Sequence, residues 1–145
     1  IDENCVWNSI HLADLTNVLE KLPDGIETYL SKQFDIRGAE LSAGEWQKMA
    51  MARFFFKESS VKILDEPSSS MDVFSHDRML ASVLGEKEST VFLISHRLVD
   101  YRSINKVVSL DGGRVIENDS PEVLKLQNGM FSDWIKANVI DNEDI

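Results

Sequence analysis

Two short apolar runs, Val61–Leu64 and Val91–Ile94, each break off into polar or charged residues, and they constrain the fold more than any other feature. Runs of this length and branched-chain content suit central strands of a parallel sheet, covered on both faces. A helical stretch from about Phe74 to Leu84 separates them, so the three segments read as a βαβ unit. The class is α/β. Lys62 is the awkward residue in the first run, because a strand buried on both faces seldom carries a lysine; it is expected to snorkel at an edge.

Upstream, Val6, Ile10, Leu12, Leu15, Val18, Leu19 and Leu22 recur at near-helical spacing until Pro23-Asp24-Gly25. That pattern predicts one or two short helices ending in a turn. Residues 26–41, with Gly38 among them, read as loop. From Ala43 to Lys57 the composition favours helix, and its later part (Met49 to Phe56) is apolar nearly all round, which predicts burial. Downstream, Lys106–Leu110 and Arg114–Glu117 flank Asp111-Gly112-Gly113, a hairpin signal. Ser120 is placed to cap a helix that Pro121 opens at its first position, and residues 129–137 read as a further helix. Asp141-Asn142-Glu143-Asp144 reads as a frayed acidic end.

Composition narrows the function classes. At 145 residues the chain is one domain or a piece of one, and 43% hydrophobic residues can support a core. Fifteen Lys and Arg against 25 Asp and Glu leave a formal net charge of −10. Such a surface repels nucleic-acid phosphates and anionic lipid, so any phosphate must be bound locally. No run approaches the roughly 18 apolar residues of a membrane span. Cys5 is the single cysteine, so no internal disulfide framework exists and a reducing compartment is indicated. The chain opens at Ile1 without an initiator Met and reads as a segment of something longer.

Three places carry chemistry. Asp65-Glu66-Pro67 ends the first apolar run, where side chains of an open α/β sheet point into the ligand crevice. The first carboxylate can hold Mg²⁺, and the second can polarise an attacking water. Equally, any strand can end in an acidic turn. Ser95-His96-Arg97 follows the second run, and His96 on the same rim can donate to a phosphate oxygen or serve as an ordinary surface histidine. His11 and His76 have nothing convergent near them and take the plain reading. Leu41-Ser42-Ala43-Gly44-Glu45 opens the long helix. A serine hydroxyl and unpaired backbone N–H groups there form an anion site, with Gly44 allowing close approach, while Ser42 on its own reads as an N-cap.

Leu41-Ser42-Ala43-Gly44-Glu45 resembles the signature motif of ABC-type ATPases. Val61–Glu66 resembles their Walker B segment with its glutamate, Ser69-Ser70-Met71-Asp72 their D-loop, and His96 their switch histidine. Leu22-Pro23-Asp24-Gly25 and Leu110-Asp111-Gly112-Gly113-Arg114-Val115 are similar to stretches of exporter nucleotide-binding domains. No Gly-x-x-x-x-Gly-Lys-Ser/Thr occurs in the sequence, so the resemblance is to the C-terminal half of such a domain, without the Walker A loop. Ala43 stands where the first signature glycine is usual, and Glu45 where glutamine is usual.

The resemblance implies a P-loop NTPase-like parallel-sheet fragment with part of the helical subdomain and a C-terminal hairpin plus helices. Residues 1–57 would belong to the helical subdomain with the signature motif, 58–138 to the catalytic core, and 139–145 to the acidic tail. It further implies ATP and Mg²⁺ as ligands, with Glu66 and His96 catalytic and Asp65 on the metal side, through water. Leu41 through Glu45 would reach, in trans, the nucleotide of a second ABC ATPase domain in a head-to-tail dimer. Transmembrane domains of an exporter are the other implied partner, at the cytoplasmic face of a membrane, with no nucleic acid. Two other readings are compatible with these motifs: a non-hydrolytic regulatory half-domain completing a partner's ATP site, and a chromosome-maintenance or DNA-repair ATPase head. The intact Glu66 and His96 argue against the first. The Leu22–Gly25 stretch and the lack of a sustained heptad in residues 1–20 argue against the second.

Overall fold

A computed structural model describes residues 2–32, 35–67, 73–96 and 103–140. The chain divides into two compact units, residues 1–94 and 95–145.

The first unit opens with α1 (Glu3–Leu12), whose first turn is capped by the Asp2 carboxylate accepting from the Asn4 N–H at 2.9 Å. A corner at Ala13-Asp14 leads into the short α2 (Thr16–Leu19), and Gly25–Glu27 forms a single 3-10 turn. Apart from that turn, the described residues of the expected loop, 28–32 and 35–41, form no helix or strand, and Gly38 is required there because a Cβ would run into the Ser31 carbonyl. The long helix α3 runs Ala43–Phe56. Next come β1 (Val61–Asp65), α4 (Val73–Leu84) and β2 (Thr90–Ile94). The two strands pair in parallel from Val61↔Thr90 to Asp65↔Ile94, which is the βαβ unit the two apolar runs predict. Register is pinned at the start of the pair, where the Ser89 hydroxyl donates to the Ser59 carbonyl at 2.6 Å and the Thr90 N–H to the Ser60 carbonyl at 2.9 Å.

One core joins these elements, built from Ile10, Leu15, Val18, Met51, Leu64, Met79 and Val83 among others. Two expectations are corrected by it. The strands are not covered on both faces: Val61, Ile63, Phe92 and Ile94 each keep more than half of their surface exposed. Period-two alternation puts Lys62 and Leu64 on the packed face and the others on an open one. Helix α3 is likewise not buried all round, since Met51 and Ala52 are its buried residues while Ala50, Arg53 and Phe56 face outward. Its apolar residues also border an open cleft of about 340 Å³ shared with α1 and α2.

Lys62 is the third correction. It does not snorkel. Its side chain is buried, with Nζ 2.9 Å from the Glu86 carboxylate and 4.9 Å from the centre of the Phe54 ring. A buried charge is tolerated when it is paired and has somewhere to direct its remaining field.

In the second unit, β3 (Val107–Asp111) and β4 (Arg114–Asp119) pair antiparallel. Gly112 and Gly113 make the two-residue turn with φ of 51° and 75°, both left-handed, which is what a tight hairpin of this hand requires. Ser120 then accepts from the Val123 N–H and Pro121 occupies the first position of α5 (Pro121–Leu126). Helix α6 (Met130–Ile140) has its start held from the hairpin, the Glu117 carboxylate accepting from the Phe131 N–H at 3.0 Å and from the Ser109 hydroxyl. Leu124, Phe131 and Ile135 form the small core of this unit. The expected acidic end at residues 141–144 lies outside the described residues.

Candidate functional site

Strand β1 delivers Asp65 as its last residue, and the chain leaves through Glu66 and the buried Pro67. Because Asp65 pairs with Ile94, both parallel strands end at the same level. The pleat puts Asp65 on the exposed face with Val61 and Ile63, whereas Glu66 is half-buried. The two neighbouring carboxylates therefore meet different surroundings. An exposed, single hard-oxygen donor such as Asp65 fits Mg²⁺, which keeps several waters and takes only one or two carboxylates.

Glu66 has φ of 46°, in the left-handed region, a conformation costing a non-glycine residue about 1–2 kcal/mol. The following proline crowds the helical regions of its neighbour further. Two hydrogen bonds offset this. The Glu66 N–H donates to the Ile94 carbonyl at 2.9 Å, and its carbonyl accepts from Gln47 Nε2 at 3.3 Å. Gln47 belongs to α3, so the exit of the acidic strand is tied directly to the long helix.

That helix starts at Ser42 with a complete capping box. The Ser42 hydroxyl accepts from the Glu45 N–H at 3.3 Å and donates to the Glu45 carboxylate at 2.8 Å, and the Ser42 N–H donates to the same carboxylate at 2.8 Å. These bonds from the Ser42 backbone and then from its hydroxyl hold the Glu45 carboxyl below its ordinary value. Ser42 therefore has the N-cap role, and Glu45 already places one negative charge at the helix start. Leu41 packs against the core just before the cap, and Ala43 and Gly44 form the first helical residues.

A second tie holds α3 from its other side. Asp14, with φ of 54°, accepts from Lys48 Nζ at 2.7 Å and from an Arg78 guanidinium nitrogen at 2.9 Å. It thus joins the α1–α2 corner to α3 and α4, and the Lys48 hydrogen bond above all keeps its carboxyl below the usual range.

Ser42, Glu45, Asp65 and Glu66 thus lie in one unit, on two elements linked through Gln47. His96 is exposed and lies two residues beyond β2, in the second unit, which is described by itself. Ser69, Ser70, Met71 and Asp72 lie outside the described residues, as does Arg97. Gln47 and Asp14 were not singled out from the sequence. The available signals were a lone amide on an apolar helix and an aspartate at a helix–helix corner.

A parallel strand pair with acidic residues at its exit shares one core with a serine-capped helix, an α/β arrangement, and the comparisons identify it as an ABC-type domain with the P-loop NTPase fold. The structure of a bacterial Atm1-family ABC exporter with ATP bound superposes with a TM-score of 0.78 at 25% identity, over 94% of this chain and 23% of that one. Residues 2–69 match the family described as ABC transporter. The chain belongs to that family.

Among curated relatives, the Beta-(1-->2)glucan export ATP-binding/permease protein NdvA of Mesorhizobium japonicum is 37% identical over 109 residues, 74% of this chain and 18% of that protein. NdvA of Rhizobium johnstonii is 33% identical over 92% of this chain and 22% of its own length. The ATP-dependent lipid A-core flippase of Cupriavidus pinatubonensis is 33% identical over 91% and 22%. This chain therefore spans about a fifth of the length of the curated relatives it matches. Among the described residues no helix is long and apolar enough to cross a membrane.

Proposed function

We propose that this chain is the C-terminal portion of an ATP-hydrolysing domain that powers an ABC exporter. The observation that carries it is the exit of β1, where exposed Asp65 and half-buried Glu66 stand side by side, tied to the helix that Ser42 caps. The family match and the export proteins among its relatives support the reading. On it, residues 1–57 form the signature-bearing helical part, 58–138 the core portion and 139–145 a tail.

Glu66 then orients the hydrolytic water and takes its proton as the water oxygen bonds to the γ-phosphorus and ADP departs. Asp65 sits on the metal side, through water; Mg²⁺ would neutralise charge on the β- and γ-phosphate oxygens. His96 donates to a γ-phosphate oxygen. Leu41, Ser42, Ala43, Gly44 and Glu45 face the nucleotide held by a second ABC ATPase domain, and Ser69 to Asp72 line the contact between the two domains. The transmembrane domains of the exporter are the remaining partner, which places the chain at the cytoplasmic face of a membrane.

Replacing Glu66 by Gln in the full-length protein keeps shape and hydrogen bonding but removes the proton acceptor. ATP binding should survive while hydrolysis falls by at least about 10²-fold. Near wild-type hydrolysis would make Glu66 a structural turn residue and bring the regulatory, non-hydrolytic reading to the front.

A further inference from the structure

We propose that Gln47 is a positioning residue, whose side-chain amide grips the Glu66 backbone from α3 and so sets the direction of the Glu66 carboxylate. The inference rests on the role given to Glu66 above. Glu66 sits at φ of 46° immediately before a proline, a combination its own sterics resist. Left to itself, this residue would relax towards extended backbone and swing its side chain away from the strand end.

Two contacts on its peptide groups oppose that relaxation. One, from the Glu66 N–H to the Ile94 carbonyl at 2.9 Å, continues the strand ladder and holds the incoming side. The outgoing side has a carbonyl but, with Pro67 next, no N–H to follow it. That carbonyl takes the Gln47 Nε2 hydrogen bond at 3.3 Å, and a carbonyl partner fixes the amide in its donating orientation. The contact spans 19 residues of sequence and joins two different elements.

The position of Gln47 gives this contact a second consequence. It lies five residues after Ser42, roughly 7.5 Å along the axis of the same helix at the usual rise per residue. Helix α3 is one continuous helix from Ala43 to Phe56, its start closed by the capping box and its flank held by the Asp14–Lys48 pair. Any displacement of the Ser42–Gly44 turn is therefore passed to the Glu66 carbonyl through one amide. A domain whose first turn of α3 engages a partner's nucleotide thereby aims its own carboxylate.

The test uses the full-length protein with Gln47→Met, of similar volume and without a donor, and Gln47→Lys, which keeps one. ATPase kcat and KM and thermal melting are measured beside Glu66→Gln. Gln47→Met should lower kcat by about 10-fold to 100-fold, the scale of a small misplacement of a reacting group, while KM for ATP stays within about twofold. Its melting temperature should stay close to wild type, and Gln47→Lys should retain most of the rate. Wild-type kcat in Gln47→Met beside an inactive Glu66→Gln overturns the positioning role alone. Equal losses in the Met and Lys variants also overturn it, since packing rather than the donor would then matter. Full hydrolysis by Glu66→Gln overturns the underlying reading of Glu66 instead. Should Gln47→Met not fold, Gln47→Glu, which sets a carboxylate oxygen against the Glu66 carbonyl, is read by the same criteria.

Discussion

Lys62 shows how much one side chain can hold in place. Its ammonium is buried in β1 three residues before Asp65, paired with Glu86 just beyond α4 and lying over Phe54 of α3. Removing one partner of such a pair leaves the other charge desolvated and uncompensated, at a cost of about 3–5 kcal/mol. Lys62→Ala should lose stability on that scale in urea unfolding, whereas Lys62→Met combined with Glu86→Leu should recover most of it. A loss below about 1 kcal/mol for the single variant, the range of exposed pairs, would mean that Glu86 finds water readily. Residues whose signals are local were legible in the sequence: Asp65 and Glu66 after an apolar run, Ser42 three positions before Glu45, Ser120 before Pro121. Lys62 was not, because its acceptor lies 24 residues away and only the fold shows that they meet. Gln47 escaped for the same reason, its acceptor being a backbone carbonyl on another element.

Among the elements, α3 is the one on which the others are registered. Its start is self-capped, its middle reaches Glu66, and Lys48 ties it to Asp14, which also takes Arg78 of α4. Both carboxyls in these ties, Asp14 and Glu45, are held below their ordinary values of 3.8 and 4.5. A group with a lowered folded pKa stabilises fully above its unfolded pKa and stops doing so as pH falls through the folded one. The melting temperature should therefore begin to drop as pH falls below about 4.5 and drop further below about 3.8. Asp14→Asn tolerates the left-handed backbone at this corner but removes the charge. It should lower the melting temperature at neutral pH and flatten the part of the profile below about 3.8, where Asp14 titrates. An unchanged profile would place the acid sensitivity in other carboxylates. Element types and most boundaries followed from periodicity and turn residues, as at Gly112-Gly113, where paired positive φ values meet the demand of the hairpin. Burial did not follow as well. An apolar pattern says that a face is to be covered, not by what, and both the open side of β1–β2 and the outer side of α3 are exposed in this chain.

For the whole molecule, a net charge of −10 sits oddly with phosphate chemistry unless binding is confined to a few backbone amides and one neutral hydroxyl. The proposed function reconciles the two, since on that proposal the site is shared between two domains and each supplies only part of it. That sharing is the central claim, and Gly44 is the residue on which to test it. Gly44→Asp puts a second negative side chain beside Glu45 in the first turn of α3 and should repel a γ-phosphate brought there by a partner. ATP turnover is then measured in mixed dimers of the full-length protein, one subunit carrying Gly44→Asp and the other a defective Walker A loop. If Ser42 and Gly44 serve the partner's nucleotide, both lesions fall in the same composite site, and the second site keeps its turnover. Equal damage to both sites would contradict the account and return Ser42 and Gly44 to their own subunit's nucleotide.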